Sequence, residues 1–220
     1  MIGLLALVVP VLLCWADCTT ALNVILAGGT GPVGRALAPR LKDHSVTILA
    51  RNAFLATAPS RVTEQFGYFG SDDVLRRNPH VRLRDWDGGD LLDIVGQDWI
   101  GWQGDCLPQA DVIVHLTGGY TEQRIMACER LIRESYTYNK PNMKALHVTV
   151  NPIDEDMATL SPLVSVSIKK QRIEQCESMV QSNCPNHKCL RVETNRLDQL
   201  CDQIEQTIES WAKEKASGVA

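Results

Sequence analysis

The residues whose types and spacing most directly imply chemistry in this 220-residue chain are Gly28-Gly29-Thr30-Gly31-Pro32-Val33-Gly34. They follow an apolar run, Leu22-Asn-Val-Ile-Leu-Ala27, and open an amphipathic stretch. Between a strand and a helix, glycines let the chain turn tightly. They also let backbone approach a pyrophosphate and let the helix pack closely on the strand. The first N–H groups of the helix and the positive end of its dipole would then face the phosphates. A glycine turn kept for packing alone is the plainer alternative.

Other chemistry-bearing groups are less ordered. Cys184-Pro-Asn-His187-Lys-Cys189, with Cys176 and Cys201 nearby, offers enough sulfur and nitrogen for tetrahedral zinc. Its spacing matches no standard ligand pattern, so a disulfide or free buried thiols rank ahead and no metal is assigned. His115 lies in an apolar run and reads as a packed core histidine. The chain has no Gly-x-Ser-x-Gly elbow and no His-Glu-x-x-His pair, which argues against the common hydrolase classes.

Short β-branched runs alternating with amphipathic stretches must position these groups, and that alternation points to βαβ units around a parallel sheet. Strands are expected at 22–27, 45–50, 81–84, 110–116, 145–150 and 188–193. Helices are expected at 32–42, 121–136, 164–181 and 195–215. Pro32 suits a first helical turn, and Val33, Leu37 and Leu41 form its apolar stripe. The last helix repeats Leu197, Leu200, Cys201, Ile204, Ile208 and Trp211 on one face, with Asn195 as its cap. The expected fold is α/β, a Rossmann-like doubly wound parallel sheet in three α/β/α layers. Residues 52–80 do not yield to this reading.

Composition bounds the partners. With 22 Lys and Arg against 26 Asp and Glu the formal charge is −4, which repels a phosphate backbone and excludes nucleic acid as the default ligand. The first 21 residues carry an uncharged apolar core from Ile2 to Trp15 followed by Thr19, Thr20 and Ala21, the pattern of a secretory signal peptide. A retained anchor or a buried strand are the alternatives, and the run is too short for a stable membrane span. Residues 22–216 then form one domain, routed to the secretory pathway or an organelle reached through it. Of eight cysteines, Cys14 and Cys18 fall in the leader. Six remain, an even number that permits bridges without requiring them.

Ile25-Leu-Ala-Gly-Gly-Thr-Gly-Pro-Val-Gly-Arg35, with Asp111-Val-Ile-Val-His-Leu-Thr-Gly-Gly119 and Trp86-Asp-Gly-Gly-Asp90, resembles the short-chain dehydrogenase/reductase superfamily. Within it, the chain resembles the atypical and extended, NAD-dependent epimerase/dehydratase-like branches. The resemblance spans about residues 22–193. It implies an NAD(P)-binding domain with the dinucleotide across the carboxyl ends of the strands, held by Gly28, Gly29, Thr30, Gly31, Pro32, Val33 and Gly34. Leu116, Thr117 and Gly118 would line it further along, and Asp87 or Asp90 would sit near the adenine. Arg51 ends the second strand, where a cation suits a 2′-phosphate, so NADP is favoured over NAD. An ordinary solvated charge at Arg51 is the competing reading.

The resemblance also implies a Ser or Thr at the end of the fifth strand and a Tyr-x-x-x-Lys on the next helix. A Tyr hydroxyl has a reference pKa of about 10, which a neighbouring ammonium lowers into a useful range. Here Thr149 or Asn151 takes the first place, and Ser165-Val-Ser-Ile-Lys169-Lys170 carries no Tyr. Thr149, Ser165 and Lys169 are the catalytic candidates, with a solvated helix charge as the competing reading for the lysines. The expectation is an oxidoreductase or epimerase acting on an unidentified small carbonyl or sugar-like substrate. The alternative is a non-catalytic dinucleotide sensor or assembly scaffold, which the missing Tyr and the little chain left for a substrate lobe favour. A homodimer is compatible with either.

Overall fold

The computed structural model describes residues 20–50, 53–57, 72–86, 101–116, 122–139, 143–153, 164–193 and 196–218. The signal-peptide reading, apart from Thr20 and Ala21, lies outside them. Six strands form one parallel sheet in the order β3-β2-β1-β4-β5-β6. They are β1 Asn23–Ala27, β2 Ser45–Ala50, β3 Val81–Asp85, β4 Val112–His115, β5 Leu146–Pro152 and β6 His187–Val192. The described helices are α1 Pro32–Leu37, α2 Ala53–Thr57, α3 Asp72–Arg77, α4 Trp102–Cys106, α5 Glu122–Tyr138, α6 Val166–Asn183 and α7 Leu197–Ala216.

Alternation along each strand divides the core into two apolar faces. Val24, Leu26, Val46, Ile48, Val112, Val114 and Val148 point to one side, where Leu37 of α1 and Leu200, Cys201, Ile204, Ile208 and Ala212 of α7 cover them. Ile25, Ala27, Leu49 and Ile113 point to the other, against Trp102 and Cys106 of α4 and Ala127 and Leu131 of α5. Both faces are therefore covered, which is why the four central strands read as nearly continuous apolar runs, whereas the edge strands β3 and β6 alternate. This is the expected three-layer α/β/α architecture.

Three details differ from the sequence reading. The first helix stops at Leu37 rather than 42, because Pro39 has no N–H to donate to Arg35. The chain continues as turns, with Arg40 N–H on Leu37 O at 3.0 Å, and Leu41 still reaches the core. In the last helix Arg196 occupies the N-cap position without capping the helix through its side chain, and Leu197 is exposed. Asn195, the expected cap, lies outside the described residues. The apolar face therefore begins at Leu200, and Trp211 is partly buried with its indole N–H on Asp111 O at 3.1 Å.

The amino edge of the sheet is closed by polar side chains. Asp111 accepts from Asn23 N–H at 2.8 Å and from Lys215 Nζ, tying α7 to the first strand. His44 takes the Leu22 N–H on Nδ1 at 3.2 Å, which leaves Nε2–H to donate to Glu209 at 3.0 Å. Among the described residues no helix is long and apolar enough to cross a membrane.

Candidate functional site

Strands β1 and β4 are neighbours although β2 and β3 intervene in sequence, so the connections leave the sheet in opposite directions at this point. In doubly wound sheets such a switch point opens a crevice at the carboxyl ends of the two strands. The glycine turn lies there. Gly28 has φ 82°, a left-handed conformation that favours glycine. Its N–H bonds Leu49 O at 3.2 Å, and Gly29 N–H bonds Leu26 O at 3.3 Å, so the turn is anchored on β1 and β2.

Each later glycine answers a different steric demand. A Cβ on Gly34 would lie 2.1 Å from Gly29 O and 2.4 Å from Gly29 Cα, so only glycine lets α1 approach the turn this closely. Among the described residues a Cβ on Gly31 would meet nothing nearer than Gly28 O at 3.8 Å. Gly31 therefore presents bare backbone to open space. As N-cap it supplies no side chain to α1, so the first-turn N–H groups of Val33 and Gly34 receive no capping hydrogen bond from it. Arg35, absent from the sequence-based site, folds back to donate from Nε to Thr30 O at 2.7 Å and fixes the turn's outer carbonyl. The helix dipole matters less than expected, because α1 has only six residues.

Leu116 continues the β4 ladder, its N–H on Ala27 O at 2.8 Å, and so borders the same crevice. Arg51, Asp87, Asp90, Thr117 and Gly118 lie outside the described residues.

The three catalytic candidates occupy different environments. Thr149 is buried in mid-strand β5, and its Oγ1 has no hydrogen-bond partner among the described residues. Ser165 is exposed and is the N-cap of α6, accepting from Ile168 N–H at 3.4 Å. Lys169 is only 1% exposed, on the buried stripe it shares with Ile173, Cys176 and Val180. The solvated-charge reading of Lys169 is thus overturned, because the residue falls on the sheet-facing side of α6.

Thr149 belongs to a polar cluster beneath α5 and α6. His115 is its register partner on β4, and His115 Nε2 lies 3.1 Å from His147 Nδ1. Burial, with a smaller contribution from the Arg124 charge, pushes His115 down to about 4. Burial and the neighbouring His115 and His187 also hold His147 well below its ordinary value. Both imidazoles are therefore neutral near pH 7. The core reading of His115 fits its burial, but it omits this pairing.

Arg124 donates to Val150 O at 3.1 Å and to Asn151 Oδ1, Asn151 Nδ2 donates to Glu177 Oε1 at 2.7 Å, and Arg191 closes on Glu177 Oε2 at 2.7 Å. Asn151, the alternative to Thr149, is thus engaged in a structural network. Sequence gave no sign of it, because these residues meet only through the adjacency of β5 and β6 beneath the helices.

The cysteine-histidine stretch does not form a centre. His187 Nδ1–H donates to Cys184 O at 2.9 Å and Gln181 Nε2 to Cys189 Sγ at 3.6 Å. Among the described residues no group of three His, Cys, Asp or Glu side chains could hold a metal ion. All six described cysteines are free thiols.

No protein-family model and no curated protein matches this sequence. Solved structures do. YwfH, an NADPH-dependent reductase involved in bacilysin biosynthesis, is 17% identical with a TM-score of 0.57, over 90% of this chain and 94% of that one. A short-chain dehydrogenase/reductase, glucose/ribitol dehydrogenase, from Brucella melitensis is 11% identical with a TM-score of 0.52, over 91% and 95%. Another from Burkholderia vietnamiensis is 11% identical with a TM-score of 0.50, over 79% and 84%. The chain thus has the Rossmann-like α/β fold that these short-chain dehydrogenase/reductase structures share.

Proposed function

We propose that this chain is a short-chain dehydrogenase/reductase of the atypical or extended, epimerase/dehydratase-like kind, binding NADP(H) in preference to NAD(H). The observation that carries the reading is the bare face of Gly31 at the β1/β4 switch point. Among the described residues a Cβ there would meet only Gly28 O at 3.8 Å, which supports an approach of backbone to a pyrophosphate, while Gly28 and Gly34 keep the turn tight. The residues present fit the group on this ground. Arg51 would pair with the 2′-phosphate of NADP.

When bound, the nicotinamide would supply hydride chemistry to a small carbonyl or sugar-like substrate. The chain's own part would be to orient and to hold protons. Lys169, buried in the first turn of α6, would hold ribose hydroxyls, and the buried Thr149 hydroxyl, without a hydrogen-bond partner among the described residues, would donate to a carbonyl oxygen. Ser165 already caps α6, which weakens its claim on a proton relay. Extent does not argue against an enzyme, since the match reaches 94% of a chain described as a reductase. Secretory routing remains part of the proposal: Thr20 and Ala21 are exposed and the core starts at Leu22, which supports cleavage at that boundary.

Arg51→Ala is expected to weaken NADPH binding about tenfold and leave NADH unchanged, the loss of one charge-assisted contact. Parallel titrations with the two cofactors check it, and equal effects on both would remove the NADP preference. Oxidation of NADPH across a carbonyl panel tests catalysis. Saturable binding without turnover on any member would favour the sensor reading.

A further inference from the structure

His115, Arg124 and Thr149 line one small pocket beneath α5 and α6, together with Cys128 and Cys176. Thr149 Oγ1 and His115 Nδ1 are buried, and neither has a hydrogen-bond partner among the described residues. The other ring nitrogen of His115, Nε2, is already engaged with His147 Nδ1 at 3.1 Å. The pocket has a volume of about 10 Å³, room for a single water and nothing larger. Buried polar atoms normally find partners, and buried waters sit where several such atoms converge.

The way such a water turns depends on the two imidazoles. Both are neutral near pH 7, so each ring carries one N–H and the contact between them holds one proton. Two arrangements satisfy this. If His115 Nε2 is the donor, the His147 proton is on its own Nε2 and His115 Nδ1 is a bare acceptor. If His147 Nδ1 is the donor, His147 Nε2 is bare and the His115 proton is on Nδ1. His147 is fully buried, does not line the pocket, and has no partner for Nε2 among the described residues. The first arrangement strands an N–H there, whereas the second strands only a lone pair. Among buried backbone groups orphaned N–H donors are rarer than under-satisfied acceptors, and the same asymmetry selects the second arrangement.

We propose that one ordered water occupies this pocket, accepting from His115 Nδ1–H and donating to Thr149 Oγ1, so that Thr149 keeps its own hydrogen to donate.

That last clause rests on the carbonyl role given to Thr149 under the proposed function, whereas the water site does not. Arg124 favours the same orientation. Its guanidinium, held on Val150 O at 3.1 Å and on Asn151 Oδ1, carries only donors, so it meets a water only at an oxygen lone pair. Between His115 Nδ1–H and Arg124 the water takes hydrogen bonds at its oxygen and turns its own hydrogens toward Thr149 Oγ1. The opposite tautomers reverse the outcome: a bare His115 Nδ1 takes one water hydrogen, and the water's open lone pair competes for the Thr149 hydrogen that a carbonyl oxygen needs. His115 and His147 are thus positioning residues that act on Thr149 through the water.

Long-range proton–nitrogen NMR correlation on full-length protein carrying isotope-labelled histidine, at pH 7 and without cofactor, tests the tautomers. The other three imidazoles are assigned by His44→Gln, His80→Gln and His187→Gln. Both remaining rings should carry the proton on Nδ1, and Nε2–H on either one would overturn the inference. A crystal structure of the full chain gives the second readout. One solvent peak is expected within about 3.2 Å of both His115 Nδ1 and Thr149 Oγ1, and a dry pocket would contradict it. Thr149→Val, which keeps the shape and removes the hydroxyl, should lose that peak, and Thr149→Ser should keep it. A peak undisturbed in Thr149→Val would remove Thr149 as the acceptor. The unsubstituted protein decides the matter even if a variant fails to fold. These readouts need no dinucleotide, so Nε2 tautomers in a protein that binds NADPH would sink this inference alone, and Nδ1 tautomers with the solvent peak in a protein that does not bind it would sink only the dinucleotide reading.

Discussion

Gly34→Ala is expected to lower the melting temperature by about 10 °C, whereas Gly31→Ala, three residues earlier, is expected to be nearly neutral. The contrast is steric. The Gly34 Cβ would fall 2.1 Å from Gly29 O, 2.4 Å from its Cα and 2.5 Å from its carbonyl carbon. All three are backbone atoms of a turn held on β1 and β2, so no rotamer change relieves the overlap, and α1 must move off the sheet. Overpacking of this kind costs about 3 kcal/mol or more, and in a domain of this size each kcal/mol is worth about 2–4 °C. Gly31 has φ −74° and ψ 177°, which any residue adopts, and among the described residues its Cβ would meet only Gly28 O, at an ordinary 3.8 Å. The cost there is within about 1 kcal/mol. Thermal unfolding of the two variants checks the pair, and equal melting temperatures would mean that the turn is not packed against α1 as described.

Acid should destabilise the fold more steeply than carboxylate protonation alone accounts for. His115 has its folded pKa lowered from 6.5 to about 4, chiefly by burial and then by the Arg124 charge. Between those values the unfolded chain binds a proton that the folded chain refuses. Stability therefore rises with pH through this window: its full value is present above pH 6.5 and falls as the pH drops toward 4. The His115 shift alone corresponds to about 3 kcal/mol at the acid end. His147 shifts in the same direction and adds to the loss. Urea unfolding at pH 7 and pH 4.5 measures it, with the His115→Leu/His147→Leu double variant as the comparison. The double variant should lose distinctly less between the two pH values. An identical loss in both proteins would show that the imidazoles accept protons freely in the folded state.

The parts of the molecule legible in the sequence were those governed by local physics. The four central strands were legible because both sheet faces are covered and each is a dense apolar run, while the edge strands β3 and β6, with Arg82 and Arg84 or Lys188 and Arg191 between their apolar residues, were legible from alternation. The glycine turn was legible because its demands act within seven residues. Errors arose where one residue redirects the chain, as Pro39 does in shortening the first helix, or where a face is set by tertiary contact. Leu197 matched the apolar stripe of α7 yet lies exposed near its start, while Lys169, for which a solvated charge competed with a catalytic role, is buried. Periodicity cannot say how much of a stripe the sheet covers.

The site was legible in part for the same reason. The turn could be found from one motif, but the Arg124, Asn151, Glu177 and Arg191 network and the His115–His147 pair join residues from separate elements. Only the strand order β4-β5-β6 brings them together. Cys128 and Cys176, 48 positions apart, meet through helix packing that no spacing rule encodes.

Dinucleotide binding at the glycine turn is the central claim, and titration of the full chain with NADPH and NADH, read as energy transfer from its tryptophans to the reduced nicotinamide, tests it most directly. The predicted result is saturable NADPH binding with a Kd below about 1 mM, lost in Gly31→Asp. Asp is a good N-cap, so that variant should keep its melting temperature while its carboxylate repels a pyrophosphate. No saturable signal with either cofactor, or undiminished binding in Gly31→Asp, would contradict the claim.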